Sequence, residues 1–201
     1  MALCMVSCGK PKGFVDLGLP SGLLWAECNL GAVSPDDFGN YYAWGETAVK
    51  DSYDQDNYRH ALNGYELAKY CNDEDYGRVD NLTRLEADDD AATANSGKGV
   101  RLPTAGDWKE LLDNCKVEWT THKGTAGVLL TGPDGNSLFL PAAGYRDGSE
   151  LVDALSGGYY WSASLYEDIP DDAWHMYFHS EGQSLNNDGR SLGLPIRAVC
   201  R

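Results

Sequence analysis

Residues 157–201 read GGYYWSASLYEDIPDDAWHMYFHSEGQSLNNDGRSLGLPIRAVCR. Trp161, Trp174, Phe178, Arg190, Gly193 and Arg197 stand out as framework, separated by Tyr, His, Ser, Asn and Asp. As a strand, Ala173–Ser180 alternates its side chains between two faces. Trp174, Met176 and Phe178 then point one way, and His175, Tyr177 and His179 the other. On the preceding strand the same rule sets Ser162, Ser164 and Tyr166 opposite Trp161, Ala163 and Leu165. If the two strands are neighbours, the outward rows join into one patch, rimmed by Asp168 and a loop at Asn186–Asp188. Tyr and His suit a recognition patch because each offers contact area and a hydrogen bond at small entropic cost. A half-exposed strand without a partner is the alternative. The inward set predicts that Trp25, Trp108, Trp161, Trp174 and Phe178 are buried, with their indole N–H groups bonded. Arg190 and Arg197 are expected to hold the terminal strands rather than touch a ligand.

Upstream, Phe14–Leu17 and Leu23–Leu30 read as short strands around a turn at Leu19-Pro20-Ser21-Gly22. Ser34-Pro35-Asp36-Asp37 is a helix-start signature, with Gly39 ending it within about a turn. Residues 46–86 are polar and aperiodic, which predicts a long loop or a few small elements. Asp88–Ala94 reads as a short helix. Thr104–Cys115 is the best helix, capped by Thr104 with Asp107 at the third position, and striped by Trp108, Leu111, Leu112 and Cys115. Ala126–Thr131 and Ser137–Pro141 flank a Gly-Pro-Asp-Gly-Asn turn and predict a hairpin. Tyr159–Leu165, Ala173–Ser180 and Leu194–Cys200 add C-terminal strands. The order predicts one α+β domain with small twisted antiparallel sheets, two short helices and long loops over residues 14–201, after a leader at 1–13.

With 31 acidic against 16 basic residues, the formal net charge is −15. Such a surface repels phosphate backbones and anionic membranes, and no basic stripe offsets it, so no nucleic-acid partner is expected. No apolar run is long enough for a spanning helix. Met5-Val6-Ser7-Cys8-Gly9 is similar to the end of a bacterial lipoprotein signal, which predicts a lipid anchor at Cys8. The six cysteines (Cys4, Cys8, Cys28, Cys71, Cys115, Cys200) show no CxxC pair and no zinc spacing. With Cys4 and Cys8 in a leader, four remain. Three pairings, or buried free thiols, are open.

Several blocks together resemble the Fibrobacter succinogenes major paralogous domain, common in Bacteroidetes surface proteins. They are Val15-Asp16-Leu17-Gly18-Leu19-Pro20-Ser21-Gly22-Leu23-Leu24-Trp25-Ala26, Gly39–Glu46, Asp89-Asp90-Ala91-Ala92, Arg101-Leu102-Pro103-Thr104 with Trp108, and Phe139–Arg146. Tyr160–Ser164, Ala173-Trp174 and Arg190…Gly193…Ile196-Arg197…Val199 complete the set, in order, over roughly residues 14–200. The Arg101–Trp108 block also resembles formylglycine-generating enzymes, and that likeness implies their C-type-lectin-like fold. Related domains are the chassis of variable proteins diversified by retroelements, which mutate adenines near the C-terminus. Tyr166, Asp168, His175, Tyr177, His179, Ser184, Asn186, Asn187, Asp188 and Ser191 lie between framework positions and all belong to the residue set such mutation yields. The resemblance implies that these ten are the ligand-binding residues.

Three functional classes follow. Formylglycine-type oxidation needs a C-terminal cysteine pair where only Cys200 stands, and His175 and His179 on a strand lie roughly 13 Å apart, too far to share a metal. No catalytic residue, metal site or cofactor is assigned, and no enzymatic activity is expected. Calcium-dependent carbohydrate binding by loop carboxylates is the second class; the lectin Glu-Pro-Asn and Trp-Asn-Asp motifs are missing, with Ile169-Pro170-Asp171-Asp172 the nearest approach. The third class is preferred: a non-enzymatic domain at the cell surface or outside the cell, or on a phage virion, that binds a protein or glycan ligand on another surface.

Overall fold

The computed structural model describes residues 12–201; the leader reading, with Cys4 and Cys8, lies outside them. Short runs of alternating polarity between turn residues give this chain far more strand than helix. The N-terminal half supplies β1 (Phe14–Asp16), β2 (Leu24–Ala26), β3 (Tyr41–Tyr42), β4 (Ala61–Leu62), β5 (Glu66–Leu67), α1 (Ala91–Ser96), β6 (Val100–Arg101) and α2 (Ala105–Asn114). Then follow β7 (Lys116–His122), β8 (Thr125–Thr131), β9 (Ser137–Pro141), β10 (Tyr145–Asp147) and β11 (Glu150–Val152). The chain ends with β12 (Gly157–Leu165), β13 (Asp172–His179), β14 (Gly182–Gly189), β15 (Leu194–Pro195) and β16 (Val199–Cys200). A four-stranded sheet runs β1-β2-β16-β6, and two three-stranded meanders run β7-β8-β9 and β12-β13-β14. The first of these sheets joins the N-terminal and C-terminal strands, as expected from the sequence.

The α+β, C-type-lectin-like expectation is corrected. Strand accounts for 39% of the structure and helix for 10%, so the fold is β-dominated and built of small antiparallel sheets. Three segments account for the difference: β7, the β10–β11 hairpin and β14 contain strand where the sequence suggested loop or nothing. The Ser34 signature forms only a turn, closed by Asp37 N–H donating to the Ser34 carbonyl. Its carboxylate accepts from Ser34 N–H, but Gly39 follows before a helical hydrogen bond can repeat. Two helices do form. Asp90 caps α1 by accepting from Thr93 N–H, so that helix starts later than Asp88.

The helix read best from sequence is α2. Thr104 and Asp107 form a reciprocal capping box, and Arg101 Nη1 donates to Asp107 Oδ2 at 2.7 Å. Burial alone would push the Asp107 carboxyl up; hydrogen bonds from Arg101 and Thr104 outweigh it and hold the group below its ordinary value. A carboxyl depressed in the folded state contributes stability above its unfolded value of about 3.9 and loses it as pH falls through the folded value. Asp107→Asn should therefore cost about 1–2 kcal/mol at neutral pH, and progressively less as pH falls through the depressed folded value. Urea titrations across this range check it, and parallel pH profiles for the two proteins would contradict it.

Two cores lie on either side of β12–β13. Tyr160, Met176 and Phe178 face a core with Trp25, Trp108, Leu111, Leu130 and Leu140. Trp161, Ala163, Leu165 and Ala173 face a second, with Tyr42, Trp44, Tyr70, Leu102 and Ile196. Close approach on the first side needs Gly158, because a Cβ there would overlap the Phe178 ring. The pairing shifts register between Trp161 and Leu165. There the chain leaves β13 and bonds instead to Thr83, Leu85 and Pro103. Trp161 Nε1 donates to the Tyr42 carbonyl at 2.8 Å, and Trp108 Nε1 to the Trp161 carbonyl at 3.3 Å. Trp25 is buried with its Nε1 unpaired, and Trp174 is only half-buried; both depart from the sequence expectation.

Arg190 and Arg197 are buried braces. Arg190 donates to the Tyr58 hydroxyl and to the Lys69, Tyr70 and Pro170 carbonyls. Arg197 donates to Asn29 Oδ1 and the Ala26 and Glu27 carbonyls. Cys28, Cys71, Cys115 and Cys200 are free thiols. No helix among the described residues is long and apolar enough to cross a membrane.

Candidate functional site

The sheet β12-β13-β14 decides where the ten sequence-named residues go. In its register Trp161 lies opposite His175, Tyr159 opposite Tyr177, His175 opposite Asn186, and Tyr177 opposite Ser184. Residues directly opposite share a face. One face therefore carries Tyr159, Trp161, His175, Tyr177, His179, Ser184, Asn186 and Asp188. Trp161 was expected on the other face, and Ser162, expected outward, is fully buried. The one-sided alternation failed because β12 is covered on both sides where it leaves β13.

His175 is 1% exposed, so it is a floor residue and not a surface contact. Its ring stacks under Tyr159 at 5.7 Å and meets the Trp161 edge. His175 Nε2 comes within 3.1 Å of Asp188 Oδ2, but not in hydrogen-bonding alignment, and both ring nitrogens lack a hydrogen-bond partner. Tyr166, Trp174 and Asn187 gather on the opposite face. Tyr166 stands edge-on to Trp174 with centroids 4.9 Å apart, and Asn187 Nδ2 donates to Asp172 at 2.7 Å. Asp168 is exposed in the β12–β13 turn, at the end away from His179. Ser191 is half-buried in the turn after β14. Asn186–Asp188, expected as a loop, is strand.

What the register brings together is a row of rings. Tyr145 from β10 meets Tyr159 at 4.8 Å, Tyr159 meets Tyr177 at 4.9 Å, and Tyr177 meets His179 at 5.3 Å. All four are half-buried, each covered on one side by its neighbours. Asp153 caps the row by accepting from the Tyr159 hydroxyl at 2.8 Å. Burial pushes both Tyr145 and Tyr159 phenols up; the Asp153 carboxylate adds to this for both, and Asp188 and Asp147 add to it for Tyr145. Both hydroxyls therefore stay protonated donors at neutral pH. Asp153 and Leu155 hold positive φ of 55° and 68° in the connection before β12, and Leu155 is 51% exposed. A left-handed Leu is strained, and such strain persists only where its surroundings fix it.

Tyr145, Tyr159 and Asp153 were missed from sequence. The Tyr159-Tyr160-Trp161 run was the available signal, since three consecutive aromatics on a strand must use both faces. Among the described residues no group of three His, Cys, Asp or Glu is placed to hold a metal ion. Tyr177 stands between His175 and His179 along the strand.

A family described as a domain of unknown function (DUF8237) matches residues 119–199, the span from β7 to β16 that contains this face. No curated protein and no solved structure matches the chain.

Proposed function

We propose that this chain is a non-enzymatic recognition domain whose ligand seats on the Tyr145–Tyr159–Tyr177–His179 row. The observation that carries the reading is that four contiguous rings are left half-exposed along one face, while Tyr160, Trp161 and Phe178 of β12 and β13 are packed into the two cores. Rigid aromatic anchors with an adaptable polar rim suit binding, and Ser184, Asn186, Asp153 and Asp188 supply that rim. The ligand is a protein on another surface that presents arginine. Guanidinium groups stack on tyrosine faces and pair with carboxylates, and the row carries two aspartates and no Lys or Arg. Thiol-based catalysis is disfavoured because burial pushes the Cys28, Cys115 and Cys200 thiols up, Cys115 to about 11, which leaves them protonated and poor nucleophiles. The resemblance to a surface-protein family supports display outside the cell, with Cys8 as the lipid anchor.

An arginine-rich peptide, its lysine counterpart and a neutral oligosaccharide test the ligand class by calorimetry. The arginine peptide should bind most tightly, and Asn186→Arg should weaken it at least tenfold while changing stability by less than about 0.5 kcal/mol. Preferential oligosaccharide binding would make the ligand a glycan. Equal binding by the Asn186→Arg protein would remove the face from the account. Diversification by a retroelement has its own test: a near-copy of the codons for residues 157–201, differing at adenines, beside a reverse-transcriptase gene.

A further inference from the structure

A second, separate site lies between the 84–90 segment, α1 and β6. A cavity of about 440 Å³ opens there, its wall including Arg84, Leu85, Ala87, Asp90, Lys98 and Val100. Its volume falls within the roughly 300–1,000 Å³ of small-molecule sites. The walls are fixed by the fold. Leu85 N–H donates to the Ala163 carbonyl, and Arg84 pairs with Ser164 across an isolated bridge. Thr93 Oγ1 donates to the Val100 carbonyl at 2.9 Å, and Asp90 accepts from Thr93 and Leu102 N–H at 2.9 and 2.8 Å. These bonds tie α1 to β6 and keep the cavity from closing.

Its charge runs against the rest of the chain. The whole sequence has 16 basic residues against 31 acidic, yet three of the basic ones line this cavity. Arg101 commits Nη1 to Asp107 and the Leu102 carbonyl. Arg84 and Lys98 are exposed, and their side chains make no ion pair or hydrogen bond among the described residues. Against them stands Asp90, whose two oxygens are already taken by backbone N–H groups. With Arg101 paired to Asp107, the lining itself keeps Arg84 and Lys98 against Asp90, one positive charge in excess; Glu86 and Asp89 of the same segment pair with Lys69, and Asp88 does not line the cavity. Leu85, Ala87 and Val100 supply apolar surface, and Leu85 and Val100 continue into the second core.

We infer that this cavity binds a small monoanionic acid with an apolar body, its carboxylate held by Arg84 and Lys98 and its body against Leu85, Ala87 and Val100. A singly charged head matches the one positive charge by which the lining exceeds Asp90, and an apolar body releases water from the floor. Inorganic phosphate would satisfy only the first. A guanidinium and an ammonium lining one cavity can serve a carboxylate together, since the fork binds two oxygens and the ammonium adds charge.

The probe is 2-naphthoate, followed by calorimetry and ligand-observed NMR at low salt, with 2-naphthylmethanol and inorganic phosphate as the neutral and apolar-free comparisons. Naphthoate should bind, the alcohol should bind at least tenfold more weakly, and phosphate should not compete at equal concentration. Arg84→Ala with Lys98→Ala should weaken naphthoate at least tenfold, and Ala87→Trp, which fills the cavity, should abolish binding. Arg84→Lys with Lys98→Arg keeps both charges and should retain binding, which separates lost charge from a lost fold. No binding to the native protein, equal binding of acid and alcohol, effective competition by phosphate, or an unchanged double-alanine variant would each overturn the site.

Discussion

Replacing Arg190 by Met should destabilise the protein by about 3–5 kcal/mol. The guanidinium lies 4.8 Å from the Trp44 ring and 5.4 Å from that of Tyr58, and it donates to three backbone carbonyls and a phenol. It ties the start of the Ser191 turn to Lys69, Tyr70 and Pro170. Met fills much of the volume but leaves those acceptors buried without a donor, and each such group costs roughly 1–3 kcal/mol. Arg190→Lys should recover only part of the loss, because an ammonium cannot meet acceptors spread around a planar fork. Denaturant unfolding measures both. A loss below about 1 kcal/mol for Arg190→Met would mean that the long polar segment is not held through this residue.

Trp161→Ala should cost a similar amount, about 3–5 kcal/mol. Trp161 is fully buried, donates to the Tyr42 carbonyl, and accepts the Trp108 indole N–H at its own carbonyl. Its ring also meets the edge of His175, which lies beneath Tyr159. Removing it takes away a support of the floor residue His175 as well as part of the second core. Calorimetric melting gives the stability loss, and the near-ultraviolet circular dichroism of the tyrosines should change with it. An unchanged melting temperature would show that β12 does not divide the two cores.

Local chemistry made some of this structure legible. Thr104 and Asp107 signal a capping box in any context, and the Asp-Gly turn at 134–135 signals a hairpin, because both act within a few residues. The buried arginines were legible for a related reason, as Arg among apolar terminal strands must find carbonyls. β14 was not legible. GQSLNNDG is rich in residues that strands avoid, and it forms a strand because β13 offers it an open edge. The two-sided burial of β12 was hidden as well, since the contacts of Trp161 lie more than a hundred residues away at Tyr42. Of the ten residues named for the site, the register keeps Tyr177, His179, Ser184, Asn186 and Asp188 on the ring-bearing face. It puts His175 in the floor and sends Tyr166 and Asn187 to the other side.

The decisive measurement is a map of amide and aromatic NMR shifts as the arginine-rich peptide is titrated into the protein at physiological salt. A chain with net charge −15 attracts any polycation weakly, so location and not affinity separates recognition from steering. The account predicts shifts confined to Tyr145, Asp153, Tyr159, Tyr177, His179, Asn186 and Asp188. Shifts spread over the acidic 46–86 segment, with the β12–β14 face silent, would contradict it.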